Sequence, residues 1–151
     1  KSSDIEYAIQ TGIEHFGGLD IAVNNAGIEG TPNIKTADYE EAVWDEVIAV
    51  NLKGVWCSMK HQLPTMQKRN QGAIINVDSL AGLQEGGAGI GYHAAKFGVV
   101  GMTKATALEY AKDNIRKLIS NDVIRLQFIE LLPTLNDLQK ERLNYFLNET
   151  K

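Results

Sequence analysis

Cysteine is almost absent from this sequence: Cys57 is the only one among 151 residues, which excludes an internal disulfide. A lone thiol is typical of proteins that work in a reducing compartment, so we expect a cytoplasmic location. Long apolar runs are also missing, because no stretch reaches the ~20 residues that a membrane-spanning helix needs. The first residues do not have the pattern of a signal peptide. The sequence therefore predicts no membrane partner.

Positive charge is not in excess. The chain has 15 Lys and Arg residues against 19 Asp and Glu residues, which gives a formal net charge of −4. Nucleic-acid-binding surfaces are usually basic, so we expect no nucleic-acid partner. The composition, 44% hydrophobic and 23% charged, is typical of a folded globular protein, and the length suits one ordinary domain.

Two familiar ligand-binding patterns are missing as well. The three histidines, His15, His61 and His93, have no metal-ligand spacing with one another or with the cysteine, so no metal site is predicted. The glycine-rich stretch Leu80–Gly91 fits neither G-x-G-x-x-G nor G-x-x-x-x-G-K-[ST]. It is either a loop that covers a substrate or a plain connector, and both interpretations stay open.

Hydrophobic periodicity predicts helices and strands in alternation. The helices are Asp4–Phe16, a long stretch Tyr39–Arg69 interrupted at Asn51, and Tyr92–Asn114; the strands are Leu19–Val23 and Gly72–Val77. Both strands are apolar without strict alternation, which favours parallel strands buried on both faces. This order predicts an α/β fold with a parallel sheet and flanking helices.

Tyr92 and Lys96 form the pattern from which a catalytic hypothesis starts. Residues four apart on a helix share one face and can meet. An ammonium beside a phenol favours the phenolate, which allows the phenol to donate and accept a proton nearer neutrality. The pattern Tyr-x-x-x-Lys also arises by chance, so it needs support from other residues. Asn24–Gly27 and Ser79 give that support, because both lie at the carboxyl ends of strands, where α/β sheets bind ligands.

The residues taken singly leave alternatives. Ser79 either takes part in catalysis or caps the turn that follows its strand. Asn51 breaks its helix, because asparagine competes for backbone hydrogen bonds, and it either has a further role or has none. Asn24 and Asn25 are either ligand contacts or turn residues. Asp78 either tunes the site or caps a turn.

The combined pattern is more specific than any of its parts. In this order and at these separations it resembles the short-chain dehydrogenases/reductases of the simple single-domain branch, over residues of about 4–116. The residues that carry the resemblance are Asn24-Asn25-Ala26-Gly27, Asn51-Leu-Lys-Gly, Ser79, Tyr92-x-x-x-Lys96, Phe16-Gly-Gly-Leu-Asp-Ile-Ala-Val and Lys104-Ala-Thr-Ala-Leu-Glu-Tyr-Ala111. The resemblance implies a Rossmann-like sheet.

The resemblance also implies a role for each residue of the pattern. Tyr92 would be the general acid/base, and Lys96 would favour its phenolate and hold the ribose hydroxyls of the nicotinamide. Ser79 would hydrogen-bond the substrate oxygen. Asn51 would present a backbone carbonyl to a water in a proton relay to Lys96. The residues that would line the cofactor and stabilise the central sheet are Asn24, Ala26 and Gly27.

The chemistry that the resemblance implies is reversible hydride transfer between a small alcohol or carbonyl substrate and NAD or NADP. The family's amino-terminal section carries a Thr-Gly-x-x-x-Gly-x-Gly turn that binds the cofactor pyrophosphate, and it carries the residue that selects NAD or NADP. These 151 residues have no counterpart of that section. We therefore expect weak cofactor binding, or none, from these residues alone.

The carboxyl end departs from the family pattern too. Beyond Arg116, two apolar stretches separated by Pro133 predict an αα-hairpin. We accordingly expect a partial Rossmann-like domain over 1–116 and a helical tail over 117–151. Only two strands are predicted, and the strand Leu19–Val23 lacks one neighbour, so we expect a homo-oligomer, pairing through that strand edge, or a marginally stable chain.

Two functions therefore stay open. The first is an NAD(P)-dependent oxidoreductase of the short-chain type, on the basis of the tyrosine, lysine, serine and asparagine set. The alternative is a catalytically inactive, truncated or fused remnant of such an enzyme that serves as an interaction or oligomerisation module. Its basis is the missing phosphate loop and the altered carboxyl end.

Overall fold

The computed structural model describes residues 1–84 and 86–110 in full and residues 115–120 as backbone. Its helices are α1 (Ser2–Phe16), α2 (Glu41–Val47), α3 (Gly54–Arg69) and α4 (Ile90–Glu109), and its strands are β1 (Ile21–Asn24), β2 (Gly72–Val77) and β3 (Ile115–Ser120). A π-helical segment, Ile48–Lys53, joins α2 to α3, and single 3-10 turns occur at Thr36–Asp38 and Leu80–Gly82.

The three strands form one parallel sheet with β2 in the middle. Residues 21–24 pair in register with residues 73–76, and residues 72–77 pair with residues 115–120. The middle strand is apolar because both of its faces are covered: Ala73, Ile74 and Ile75 are all buried. Together with the flanking helices, this sheet confirms the predicted α/β fold of partial Rossmann-like form. Because the strands are parallel, the carboxyl ends of β1 and β2 meet at one edge of the sheet.

A single core cluster joins the sheet to the helices. Its buried members are Ala22, Val55, Met59, Leu63, Met66, Ile74 and Val99. Helix α3 supplies four of these residues at spacings of four, four and three, which places them along one face of the helix. Within the described residues, no helix combines the length and the apolarity that crossing a bilayer requires.

The carboxyl end of the described chain corrects one prediction. The helical tail was expected from residue 117, but β3 runs from Ile115 to Ser120 and pairs along its whole length with β2. The predicted boundary was wrong by four residues because pairing with an already buried strand decides the structure there. The rest of the predicted αα-hairpin, residues 121–151, lies outside the described residues. The expectation of an oligomer or a marginally stable chain assumed a sheet of two strands, and the described sheet has three. Within this sheet, β1 is still paired on one side only.

The long helical stretch is interrupted where the sequence predicted. Asn51 lies within the π-helical segment and is 1% exposed. Helix α3 then continues through Pro64 and ends at Arg69, and the next residue, Asn70, has a left-handed backbone with φ of 50°. The interruption lies beside the loop that follows β1, because Asn51 hydrogen-bonds Ile28 of that loop.

Candidate active site

A polar cavity of about 420 Å³ lies beyond the carboxyl ends of β1 and β2. Three parts of the chain supply most of the lining of this strand-end cavity, and Ala88 of the glycine-rich loop adds to it. Gly27 and Glu29 come from the loop after β1, Asp78 and Ser79 from the end of β2, and Tyr92 and Lys96 from the first turns of α4. The structure thus brings together the serine, the tyrosine and the lysine that the sequence singled out, as the parallel-sheet rule predicts.

Tyr92 and Lys96 meet on the inner face of α4. The Lys96 Nζ atom lies 5.6 Å from the centroid of the Tyr92 ring. The same Nζ donates a hydrogen bond to the backbone carbonyl of Val77 at 2.9 Å, and Lys96 is only 6% exposed. Burial lowers the pKa of the Lys96 ammonium, and the charge of Asp78 opposes this shift.

Ser79 has both of the properties that the sequence left as alternatives. It begins the 3-10 turn Leu80–Gly82, and its Oγ accepts a hydrogen bond from the Ala81 backbone N–H at 3.3 Å. It also lines the strand-end cavity. Because a hydroxyl can accept and donate at once, capping the turn leaves the Ser79 hydrogen available to a ligand oxygen.

Asn51 supports the cavity from behind and is not part of its lining. Its Oδ1 accepts from the Ile28 backbone N–H at 2.8 Å, and its Nδ2 donates to the Ile28 carbonyl at 2.7 Å. A Cβ atom at Gly27 would lie 3.3 Å from Asn51 Oδ1, so the glycine lets the loop lie close to the amide. The expected water bound to the Asn51 carbonyl stays a prediction.

Asn24 faces the sheet and α3. Its Nδ2 donates to Asn76 Oδ1 at 2.7 Å, which joins the paired ends of β1 and β2, and its Oδ1 accepts from Gln62 Nε2 at 2.8 Å. Asn24 and Ala26 line a second cavity of about 370 Å³ between α1, α3 and the end of β1. Gly27 alone of the three predicted cofactor residues lines the strand-end cavity, and the cofactor role of the set stays a prediction.

Sequence reasoning missed the buried partners of Asn24. Asn76 is fully buried, and its Nδ2 donates to Thr103 Oγ1 at 2.9 Å and contacts Met59 Sδ at 3.3 Å. Gln62 and Thr103 are 6% and 2% exposed. One signal was available, since an asparagine inside an otherwise apolar, buried strand needs a hydrogen-bonding partner. The resulting network ties β1, β2, α3 and α4 together beneath the cavity.

Asp78 is the one buried carboxylate of the site. It is 7% exposed, and neither of its oxygens has a hydrogen-bonding partner among the described residues. Burial raises the pKa of the Asp78 carboxyl to about 6, against the opposing effects of Lys96 and of the Ser79 backbone N–H. Asp78 does not cap the turn that follows β2, because Ser79 does so.

His93 fastens the glycine-rich loop to α4. Its Nδ1 lies 2.9 Å from the Ala81 carbonyl and its Nε2 lies 3.2 Å from the Gly86 carbonyl. Ala88 of the same loop lines the strand-end cavity, which favours the substrate-covering interpretation of Leu80–Gly91. Among the residues described, no cluster of three or more His, Cys, Asp or Glu side chains is arranged to hold a metal ion.

Comparison with known proteins gives this geometry a family. The short chain dehydrogenase family profile matches residues 1–120. Cyclohexanol dehydrogenase of Acinetobacter sp. (strain SE19) is 44% identical over 120 residues, and levodione reductase of Leifsonia aquatica is 38% identical over 114 residues. The crystal structure of levodione reductase matches with a TM-score of 0.74 at 37% identity, over 77% of this chain and 45% of that one.

Each match covers a larger share of this chain than of the relative. They cover 77% of this chain and 46% of the cyclohexanol dehydrogenase, and 76% of this chain and 42% of the levodione reductase. The chain therefore spans less than half the length of these relatives. The match also reaches the end of β3, four residues beyond the resemblance seen in the sequence. The chain belongs to the short-chain dehydrogenase family.

Proposed function

We propose that this chain carries the proton-transfer half of an NAD(P)-dependent oxidoreductase that interconverts an alcohol and a ketone or aldehyde. The observation that supports the proposal is the strand-end cavity, where Ser79, Tyr92 and Lys96 converge from two different elements. A general acid/base, its cationic neighbour and a hydrogen-bond donor for the substrate oxygen are the groups that this reaction requires of a protein.

Tyr92 is proposed as the general acid/base. Its hydroxyl gives a proton to the carbonyl oxygen during reduction and takes one from the alcohol during oxidation. The Lys96 ammonium, held by one hydrogen bond to Val77, places a positive charge beside the Tyr92 ring. Ser79 donates its free hydroxyl hydrogen to the substrate oxygen, which orients the substrate and stabilises charge on that oxygen.

The residues present fit the nicotinamide end of the cofactor. When bound, a nicotinamide supplies the hydride acceptor or donor for the carbinol carbon. An ammonium has three N–H donors, and Lys96 directs one of them at Val77, so two are left for the ribose hydroxyls. The described residues hold no glycine-rich turn that would bind a pyrophosphate, so we expect this chain to bind the cofactor weakly.

The proposed substrates are small secondary alcohols and their ketones. Relatives include proteins named for cyclohexanol, levodione and D-beta-hydroxybutyrate, and all of these names denote small alcohols or carbonyl compounds. We propose that the loop Leu80–Gly91, which His93 contacts at two backbone carbonyls, forms the part of the cavity that binds the substrate. No single compound is favoured by the residues of the cavity.

The proposed roles are tested by binding and turnover with a matched tyrosine pair. Fluorescence of NADH and NADPH is followed on titration with the chain, and turnover is then measured with a panel of cyclic and linear secondary alcohols. Tyr92→Phe is expected to abolish turnover and keep the fold, whereas Tyr7→Phe, on the exposed outer side of α1, is expected to change nothing. Turnover that survives Tyr92→Phe contradicts the assigned role.

A second candidate function is an interaction or oligomerisation module without catalysis. Two observations favour it: in the described sheet β1 is paired on one side only, and Trp56, Phe97 and Leu108 are exposed by 47%, 50% and 82%. Exposed apolar surface and an unpaired strand edge both promote association. Light scattering gives the oligomeric state, and NADH or NADPH binding at micromolar concentrations argues for the first function over this one.

A further inference from the structure

Asp78 is a buried carboxylate that makes few stabilising interactions with its neighbours. The carboxyl group lies against the backbone of Gly82, so closely that a Cβ atom at residue 82 would overlap it. The residue is 93% removed from solvent, since only 7% of its surface is exposed, and neither oxygen is hydrogen-bonded within the described part of the chain. A buried carboxylate without hydrogen bonds is unfavourable unless a positive charge lies nearby.

Lys96 is a buried positive charge that lines the same cavity. Its Nζ atom donates to the carbonyl of Val77, the residue directly before Asp78, and makes no hydrogen bond to the Asp78 carboxyl. Each charge acts on the other: Asp78 favours the ammonium form of Lys96, and Lys96 favours the carboxylate form of Asp78. Burial works against both charged forms.

We propose that Asp78 is the counter-charge of Lys96 across the cavity and acts as a positioning residue that keeps the lysine charged. The inference deepens the proposed function, because a positive charge beside Tyr92 requires an ammonium, and a neutral amine has one N–H donor fewer for the ribose hydroxyls. A buried lysine without a counter-ion loses its proton more readily. Asp78 therefore acts on the reaction through Lys96, without touching the substrate.

The other ionisable groups near Asp78 are few. Glu29 lines the same cavity from the loop after β1, but its side chain is exposed. From α4, Tyr92 lines the cavity beside Lys96, and His93 contacts the Ala81 carbonyl of the turn that follows Asp78. Of these groups, only Lys96 acts on the pKa of the Asp78 carboxyl. Glu29 consequently offers a matched control, because it is a second carboxylate of the same cavity that does not act on Lys96.

The test is a titration of the lysine amine in the full chain without any cofactor. Nuclear magnetic resonance of isotope-labelled lysine follows the side chain of Lys96 against pH, and the resonance is assigned by its loss in Lys96→Arg. Asp78→Asn keeps the shape of the side chain and removes its charge, so the titration of Lys96 is expected to move to lower pH. Glu29→Gln removes one exposed carboxylate and is expected to leave the titration of Lys96 unchanged.

A Lys96 titration that is the same in Asp78→Asn and wild type overturns the proposal, as does an equal shift in Glu29→Gln. If Asp78→Asn does not fold, the wild type provides a second measurement. Ionisation of Asp78, centred at a pH of about 6, is expected to move the Lys96 resonance as well, and a resonance that ignores this ionisation overturns the proposal. The readout needs neither turnover nor cofactor binding, so a failed enzyme assay and a failed counter-ion are separate results.

Discussion

Asn51 and the backbone of Ile28 exchange two hydrogen bonds, one in each direction, at 2.8 and 2.7 Å. The pair joins the π-helical segment to the loop after β1, and that loop forms one wall of the strand-end cavity. An asparagine amide imitates a backbone peptide unit in this pairing, because it has one acceptor and one donor side by side. The helix is interrupted at the residue whose side chain fixes the loop.

Replacing Asn51 with alanine is expected to destabilise the chain by about 1–3 kcal/mol, because the N–H and the carbonyl of Ile28, which is half-buried, both lose their partner. Urea unfolding measures this change. Asn25→Ala is the matched control, since Asn25 lies in the same loop and is exposed, and its effect is expected to stay within about 0.5 kcal/mol. Equal effects of the two substitutions would show that the pairing does not stabilise the loop.

Thr103→Val tests the buried network beneath the site. Thr103 Oγ1 accepts from Asn76 Nδ2 at 2.9 Å and donates to the Val99 carbonyl at 2.7 Å. Valine has the same shape and no hydroxyl, so the Asn76 N–H loses its oxygen acceptor, and a loss of about 1–3 kcal/mol is expected in urea unfolding. Thr103→Ser keeps the hydroxyl and is expected to lose less than valine does. A valine variant as stable as the wild type would show that the Thr103 hydroxyl does not stabilise the network.

Two of the three glycines of α4 are expected to respond to alanine in opposite ways. Gly101 has open space around it, so Gly101→Ala is expected to stabilise the helix by about 0.5–1 kcal/mol. At Gly98 a Cβ would lie 2.6 Å from Leu52 Cδ1, and Leu52 packs against the core, so Gly98→Ala is expected to lose about 1 kcal/mol.

Thermal unfolding compares the glycine variants, and light scattering reports their oligomeric state. The position of Leu52 against Gly98 indicates that this part of α4 packs within the chain. If Gly101→Ala lowers the oligomeric state and gains no stability, the exposed surface around Gly101 is instead an interface between copies.

The sequence was most informative where one local rule decides the structure. Gly72–Val77 was predicted as a strand and is one, because a short apolar run between turn residues has few alternatives. The convergence of Ser79 with Tyr92 followed from the parallel order of the strands, together with the family motif. The interruption at Asn51 followed from the poor fit of asparagine to a helix interior.

Long-range pairing was what the sequence did not reveal. Lys117–Ser120 has the composition of either a helix or a strand, and its place beside β2 decides between them. Nothing in the sequence distinguishes Gln62 and Thr103 from other polar helix residues. Only the packing of their helices on the sheet brings them into hydrogen-bonding distance of Asn24 and Asn76. The same is true of Asp78, whose two alternatives differ only in where its carboxyl group points.

The charge of Asp78 is expected to make stability depend on pH. Burial raises the pKa of this carboxyl to about 6 in the folded chain, whereas an aspartate in an unfolded chain titrates near ~3.9. The folded state therefore binds the proton more tightly than the unfolded state does. The resulting stability is fully present below pH ~4 and is lost as the pH rises through the folded pKa.

Asp78→Asn removes this dependence, because an amide stays neutral at every pH. The variant is expected to match the wild type at pH ~4 and to exceed its free energy of unfolding by about 2–3 kcal/mol at pH ~8. Urea unfolding at a series of pH values measures the difference, and Glu29→Gln, which removes an exposed carboxylate of the same cavity, is measured beside it. A constant difference for Asp78→Asn would contradict the net effect of burial on this carboxyl in the folded chain.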